Sequence, residues 1–363
     1  MTDDGKGCFP SFAWFLYTVS LCYQFLSNIR TALYEKGIFR AKKMPCTVIS
    51  IGNLVAGGTG KTPMTIYLAE LVKKNGNRPV VISRGYRGGA EKSGGIVCDG
   101  KSVLMDAGTA GDEPYMMAKT LKDVPILVGS NRLQSCSIAL QKFNPDLIIL
   151  DDAFQHLKLF RDIDIVLLDH SKPLGNQRFL PRGPLREPVS ALKRGSVFIT
   201  TRSRTSSVNW PKELDAVLNG KPIFFTTHRP YVSSIEFGIT SVLSRNINTG
   251  DQLNMDVFKG KKAYLFSGIV RNSDFRASIL EYGCIEVGFS EFPDHHFYSP
   301  KEMETIFHNA EKTGAEMLVT TEKDFVRISK AISWPVDIIV VGVKISFKED
   351  SSLFDSFINK NLK

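Results

Sequence analysis

The sequence predicts an α/β protein: a mostly parallel sheet with helices on both faces, followed by a smaller second α/β domain and preceded by an N-terminal membrane-associated helix. Three observations lead there. Short β-branched runs alternate with helical segments from Cys46 onward, a glycine-rich turn joins the first strand to the first helix of that series, and no charged residue occurs between Lys6 and Arg30.

The N-terminal segment comes first. Phe12, Phe15, Leu16, Val19, Cys22, Tyr23, Leu26 and Ile29 recur at helical spacing, with a weakly polar stripe of Tyr17, Ser20, Gln24 and Ser27 on the other side. Lys36, Arg40, Lys42 and Lys43 follow. Asp3 and Asp4 argue against a cleaved signal peptide, and the polar stripe argues against lipid on every side. A helix lying in the interface of an anionic membrane, peripheral or anchored by that one helix, fits best.

Strands are expected over 47–51, 79–83, 126–129, 147–150, 163–168 and 197–201, with helices over 63–74, 113–121 and 132–142 between them. The polar, turn-rich stretch 203–221 suggests a boundary. The expected domains are therefore 1–32, 33–210 and 211–363, the last closing on a helix near 353–361. A chain of 363 residues suits about two domains with a sizeable core.

The net charge of +9 suits nucleic acid, an anionic membrane surface or a phosphorylated substrate. No zinc-finger spacing or RNA-binding aromatic signature is present, so no nucleic-acid partner is expected, nor an obligate protein partner. The six cysteines form no Cys-x-x-Cys pair and read as buried, reduced thiols of a cytosolic compartment.

Gly57-Gly58-Thr59-Gly60-Lys61-Thr62-Pro63 is the strongest chemical motif. Between a strand and a helix, its glycines let backbone N–H groups turn toward a phosphate. Lys61 would reach the β- and γ-phosphates of a nucleotide and Thr62 would hold Mg²⁺. The first domain is therefore expected to be a P-loop NTPase-like core. Val55 stands where the strict pattern has glycine.

Such a loop works with a metal-holding acid on a neighbouring strand, and Asp151 and Asp152 end the apolar run 147–150. Asp112 and Glu113 form a second acidic pair, where Asp112 is either a helix cap or a general base. His295 and His296 follow Pro293-Asp294, in a turn that either lies on the surface or tunes a carboxylate. Candidate substrate contacts are Arg84, Tyr86, Arg132, His156, Arg182 and Arg186, since arginine's fork suits phosphate oxygens.

Taken in order, Gly52-Asn53-Leu54, the glycine-rich loop, Ser83-Arg84-Gly85-Tyr86, Gly111-Asp112-Glu113-Pro114, Asp151-Asp152-x-Phe154-Gln155-His156, Leu185-Arg186-Glu187-Pro188, Phe292-Pro293-Asp294-His295 and Thr320-Thr321-Glu322-Lys323-Asp324 closely resemble the tetraacyldisaccharide 4′-kinase (lipid A 4′-kinase) family. The resemblance implies transfer of the ATP γ-phosphate to the 4′-hydroxyl of a lipid-linked glucosamine disaccharide 1-phosphate, at the cytoplasmic face of the bacterial inner membrane. It implies Asp112 as base with His295 paired to it, Lys61 and Thr62 on nucleotide and Mg²⁺, Asp151 and Asp152 as Walker-B-like acids, and Glu113 in the metal shell. Ala153 departs from the family's usual glycine, and His296 duplicates the imidazole, leaving His295 or His296 open. A P-loop regulatory NTPase or metallochaperone and a non-enzymatic nucleotide-binding scaffold are the competing readings. Both dispense with a lipid substrate.

Overall fold

The computed structural model describes residues 10–203, 205, 210–238, 255–328 and 333–362. Two compact units form: Met1–His228 together with Ile345–Lys363, and Arg229–Lys344.

The first unit opens with α1 (Pro10–Glu35). It docks through Ser20 of its polar stripe and through Tyr23 and Arg30, so Tyr23 does not share the outward direction of the apolar face in which it is expected. Ser20 is buried and its Oγ–H donates to the Phe179 carbonyl at 2.9 Å, Tyr23 OH donates to the Arg186 carbonyl at 3.1 Å, and the Arg30 guanidinium donates to the Gln155 carbonyl. The apolar face turns outward, leaving Phe15 61 % and Leu26 64 % exposed. Cys22 lies on that outer face, so the expectation that the cysteines are buried fails there; Cys98, Cys136 and Cys284 are buried. Among the described residues no helix is long and apolar enough to cross a membrane.

The core of this unit is built from β1 (Thr47–Asn53), α2 (Lys61–Lys74), β2 (Pro79–Ser83), β3 (Gly95–Asp99), α3 (Ala107–Ala110), α4 (Asp112–Thr120), β4 (Pro125–Val128), α5 (Arg132–Phe143), β5 (Leu147–Asp151), β6 (Ile163–Asp169), β7 (Val197–Thr201), α6 (Lys212–Leu218) and β8 (Ile223–Phe225). The eight strands form one sheet in the order β3-β4-β2-β5-β1-β6-β7-β8. Neighbours are parallel except β3 and β4. Every residue of β1, β2, β5, β6 and β7 is buried, which is why these strands read as continuous apolar runs rather than alternating ones. The antiparallel edge strand β3 has no counterpart among the expected strands. Gly94, Gly95, Asp99 and Gly100 punctuate it as a turn would.

The second unit holds most of a five-stranded sheet of order β11-β10-β12-β13-β9, from β9 (Thr227–Glu236), β10 (Lys262–Ser267), β11 (Ile285–Glu291), β12 (Met317–Thr321) and β13 (Asp337–Ser346). Its helices are α7 (Asn272–Leu280), α8 (Pro300–Lys312) and α9 (Glu322–Phe325). β10 runs parallel to β11 and β12, and β12 to β13.

The division differs from 33–210 and 211–363 at both ends. Leu214 and Leu218 of α6 are buried in the first unit's apolar cluster with Phe198 and Leu192, so the polar stretch before them does not end the domain. The last helix, α10 (Ser351–Asn361), returns to the first unit. There Phe347 and Phe354 stack at 4.3 Å, and Tyr67 OH of α2 donates to Asp355 at 3.1 Å.

Candidate active site

β1 lies between β5 and β6, and the chain leaves it toward β2 on one side and later crosses to β6 on the other. Such a switch point opens a crevice at the carboxyl ends of the strands. The glycine-rich loop, Ser83, Asp151 and Arg202 all sit at that edge, each at or just after the end of its strand.

The loop is held in the shape a phosphate needs. Gly57 and Gly60 have φ of 123° and 88°, values that favour glycine. A Cβ on Gly60 would lie 2.7 Å from His228 Nε2. Gly60 is the N-cap of α2 and brings no capping side chain, so first-turn N–H groups stay available to an anion. α2 starts at Lys61, two residues earlier than expected, and Pro63 is tolerated because a first-turn N–H has no intrahelical partner to lose. Asn53 Nδ2 donates to Thr59 Oγ1 at 2.9 Å. Val55 is buried and bridges antiparallel to Leu185, and Ala56 N–H donates to the Pro184 carbonyl at 2.7 Å. The departure from glycine at 55 is thus used to dock the arginine loop 177–188.

Lys61 Nζ lies 3.5 Å from the Gly57 carbonyl and 3.7 Å from Asp152 Oδ2. Asp152, at φ 50°, also accepts from Arg186 Nη1 at 2.7 Å. Burial pushes its carboxyl up, but Lys61 and Arg186 outweigh that and hold it below the usual range. Asp151 is fully buried and paired to a different set. Thr65 Oγ1–H donates to its Oδ1 at 3.2 Å and Ser83 Oγ–H to its Oδ2 at 3.1 Å. Burial, then the charges of Glu113 and Asp152, push its carboxyl up to about 6 despite Lys61 and Ser83. The adjacent acids therefore have opposite environments.

Gly111 is the N-cap of α4, so Asp112 is the first helical residue and not the cap. Asp112 is 8 % exposed. The loop carrying Arg84 and Tyr86 packs backbone to backbone on this turn: Ala90 N–H donates to the Thr109 carbonyl at 2.9 Å, and a Cβ on Gly88 would meet the Gly111 nitrogen at 2.6 Å. Glu113 lies near enough to raise both strand-end acids.

Mg²⁺ was expected at Thr62, Asp151, Asp152 and Glu113. Among the described residues no three His, Cys, Asp or Glu side chains converge as a metal cage. Asp152 is instead committed to Lys61 and Arg186. The residues still fit Mg²⁺, which takes one or two protein oxygens and completes its shell with phosphate and water. Thr62 sits one turn before Thr65 on the same face of α2, and Thr65 bonds Asp151, an acid raised first by burial and then by the charges of Glu113 and Asp152.

The arginines divide. Arg132 is buried, donates to the Gly129 and Asp151 carbonyls, and is lowered by burial to about 10, so it remains a cation at neutral pH. His156 is lowered to about 4 by burial and then by Arg132 and Arg161, and its Nε2 is buried without a partner. Arg84 pairs with Glu91 at 2.8 Å, Tyr86 is 52 % exposed under Arg87, and Arg182 stacks on Tyr17 of α1 at 5.1 Å. Arg186, not Arg182, is the member of that loop that meets the acids.

Four side chains at the site are given no role by the sequence: Thr65 and Arg202 lie outside every motif, and Ser83 and Gln155 stand inside motifs whose other members draw the assignments. Gln155 Nε2 donates to the Asn53 carbonyl at 2.9 Å. Arg202 donates through Nη2 to the Gly58 carbonyl at 2.7 Å and through Nη1 to Asp169 at 2.8 Å. Position at a strand's carboxyl end would have flagged Ser83 and Arg202.

In the second unit His296 stacks on Phe292 at 4.6 Å and meets Glu302 at 3.0 Å, where Glu302 also completes the capping box of α8 with Ser299. His295, at φ 63°, faces Arg327 instead.

Residues 12–363 match the family described as tetraacyldisaccharide-1-P 4′-kinase. A tetraacyldisaccharide 4′-kinase of Desulfatibacillum aliphaticivorans is 36 % identical over 96 % of this chain and 92 % of its own. That of Syntrophus aciditrophicus is 37 % identical over 97 % and 94 %. Among solved structures, LpxK from Aquifex aeolicus in complex with ATP superposes with a TM-score of 0.74 at 29 % identity, covering 97 % of this chain and 100 % of that one.

Proposed function

The chain belongs to the tetraacyldisaccharide-1-P 4′-kinase family, and on that premise we propose how its residues divide the reaction. The protein is an ATP-dependent kinase that transfers the γ-phosphate to the 4′-hydroxyl of a tetraacyldisaccharide 1-phosphate, giving the bis-phosphorylated lipid A precursor. The regulatory NTPase and scaffold readings fall away with that membership.

The observation that carries the site assignment is the strand-end cluster, with Lys61 3.7 Å from Asp152 and Asp151 held by two hydroxyls alongside the glycine-rich loop. Loop N–H groups and Lys61 bind the β- and γ-phosphates. The Arg186–Asp152 pair keeps Lys61 aimed at them. Thr62 and Asp151 would hold Mg²⁺, which when bound neutralises charge building between the β- and γ-phosphates. Asp112 accepts the proton of the 4′-hydroxyl as its oxygen bonds to phosphorus and the β–γ bridge breaks, releasing ADP. Of the two histidines, His295 is assigned to the transfer because it closes the family motif Phe292-Pro293-Asp294-His295. Arg84, Tyr86, Arg132 and the neutral His156 are assigned to the phosphorylated sugar.

The outward apolar face of α1, followed by Arg40, Lys42 and Lys43, lies in the surface of an anionic membrane at the cytoplasmic side of the inner membrane. Phe15→Ser with Leu26→Ser should cut recovery on anionic vesicles by roughly tenfold or more. Unchanged recovery overturns the membrane assignment.

Purified protein with Mg·ATP and tetraacyldisaccharide 1-phosphate should form ADP and the bis-phosphorylated lipid in equal amounts. ADP formation indifferent to the lipid but stimulated by a protein partner would overturn the kinase reading.

A further inference from the structure

The Thr320-Thr321-Glu322-Lys323-Asp324 run has no role in the transfer as proposed above. In the second unit it ends β12 and opens α9. The Asp324 and Arg327 side chains are both 0 % exposed and 3.4 Å apart. Asp324 accepts from Thr321 Oγ1 at 2.6 Å and from Gly268 N–H at 3.0 Å. Arg327 Nη1 donates to the Gly268 carbonyl at 3.2 Å. The remaining arm is turned to the histidine loop: Arg327 Nη2 lies 3.3 Å from His295 Nδ1. A Cβ on Gly268 would lie 2.9 Å from the Pro293 carbonyl, so a glycine is what lets that loop approach.

A guanidinium has N–H donors and no acceptor. The His295 Nδ1 that meets it must therefore offer its lone pair, and a ring protonated on both nitrogens would set N–H against N–H. We infer that Arg327, held in place by Asp324, is a positioning residue that fixes the His295 tautomer, with Nδ1 as acceptor and the proton on Nε2. His295 is thereby a directed Nε2–H donor, with Nε2 3.6 Å from Asp294 Oδ2. This rests on the reading of His295 as part of the phosphoryl-transfer site. The Thr-Thr-Glu-Lys-Asp run then acts on the histidine loop at one remove, by burying a carboxylate that anchors an arginine aimed at an imidazole.

The test reads the tautomer directly. Full-length protein labelled with ¹⁵N-histidine is examined by NMR at about pH 8, with the His295 resonances identified by their loss in His295→Gln. The expected pattern is an unprotonated Nδ1 and a protonated Nε2. In Arg327→Met paired with Asp324→Asn, which removes both buried charges together, the pattern should move to a mixture of tautomers. Arg327→Lys, which keeps a donor, should retain it. In the paired variant kcat should fall by roughly 10- to 10³-fold with the KM for ATP changed less than about twofold, and Arg327→Lys should recover part of the loss. A protonated Nδ1 in the wild type, or an unchanged pattern in the folded paired variant, overturns the inference. His295→Ala with unchanged kcat would overturn the catalytic reading of His295 alone, since the NMR pattern is independent of turnover.

Discussion

Asp151 and Asp324 are the same device in two settings. Each is a buried aspartate at the carboxyl end of a parallel strand, each accepts a threonine hydroxyl, and burial raises the pKa of both. What surrounds them differs. Asp324 has the buried guanidinium of Arg327 against it, so its charge is cancelled within its own unit. Asp151 has Glu113 and Asp152 as electrostatic neighbours, and its two oxygens are met by neutral hydroxyls. The first arrangement is closed. The second leaves the Asp151 carboxylate without a guanidinium of its own at the mouth of a phosphate loop, where a cation arriving with the nucleotide would be stabilised. Local geometry alone does not separate a structural acid from a working one; the neighbouring charges do.

The contrast can be broken in four ways, in falling order of expected effect. Asp112→Ala should lower kcat by about 10²–10⁴-fold with ATP binding preserved, as loss of the proposed proton acceptor should. Steady-state kinetics and a nucleotide titration check this, and unchanged turnover removes the base. Asp324→Asn should destabilise the protein by about 3–5 kcal/mol, because Arg327 would be left as an unpaired buried charge. Urea unfolding measures it. Asp151→Asn should show the reverse signature: kcat down by roughly 10²-fold, a higher Mg²⁺ requirement, and little loss of metal-free stability. Equal stability losses in the two asparagine variants would erase the distinction.

The smallest effect is in the pH dependence of metal-free stability. Asp151 is raised to about 6, so between pH 4 and 6 the folded state holds a proton that the unfolded state has released, and its contribution falls as pH rises through that window. His156 is lowered to about 4, so between its folded value and the ordinary imidazole range the unfolded state holds the extra proton, and its contribution rises with pH. The two slopes oppose. Asp151→Asn should therefore make stability fall more steeply on acidification, and His156→Gln should flatten or invert the slope. Urea midpoints in a chelator across that range decide it.

The parts of the molecule legible in the sequence are those fixed by burial on two faces. β5 reads as an unbroken apolar run and β1 and β6 as apolar runs interrupted by Ser50 and Asp164, and the acids of 151–152 mark where β5 ends. The glycine-rich loop is legible because a left-handed backbone restricts the residue type. Hydroxyl partners are not. Thr65 and Ser83 look like ordinary small polar residues until the register of β1, β2 and β5 sets them beside Asp151. The amphipathic pattern of α1 is visible in the sequence, as is an apolar face turned away from the protein. What its inner side meets is not: the carbonyls of Phe179, Arg186 and Gln155, far away in the chain. The last helix belongs to the other half from the one its position suggests, because sequence adjacency to β13 says nothing of Phe224 and Tyr67, the rings it packs on.

That inverted docking of α1 has a consequence for the energetics of turnover. Drawing a four-chain lipid fully into water would cost about 0.8 kcal/mol for every methylene exposed, far more than one nucleotide's binding can supply. On the membrane assignment proposed for α1, a helix that spends its hydroxyls and guanidinium on the loops bearing Arg186 and Gln155 would hold those loops at a fixed height above the plane in which its phenylalanines and leucines rest. The sugar would then need to rise only by the depth of its own head, and the hydrocarbon would not leave oil.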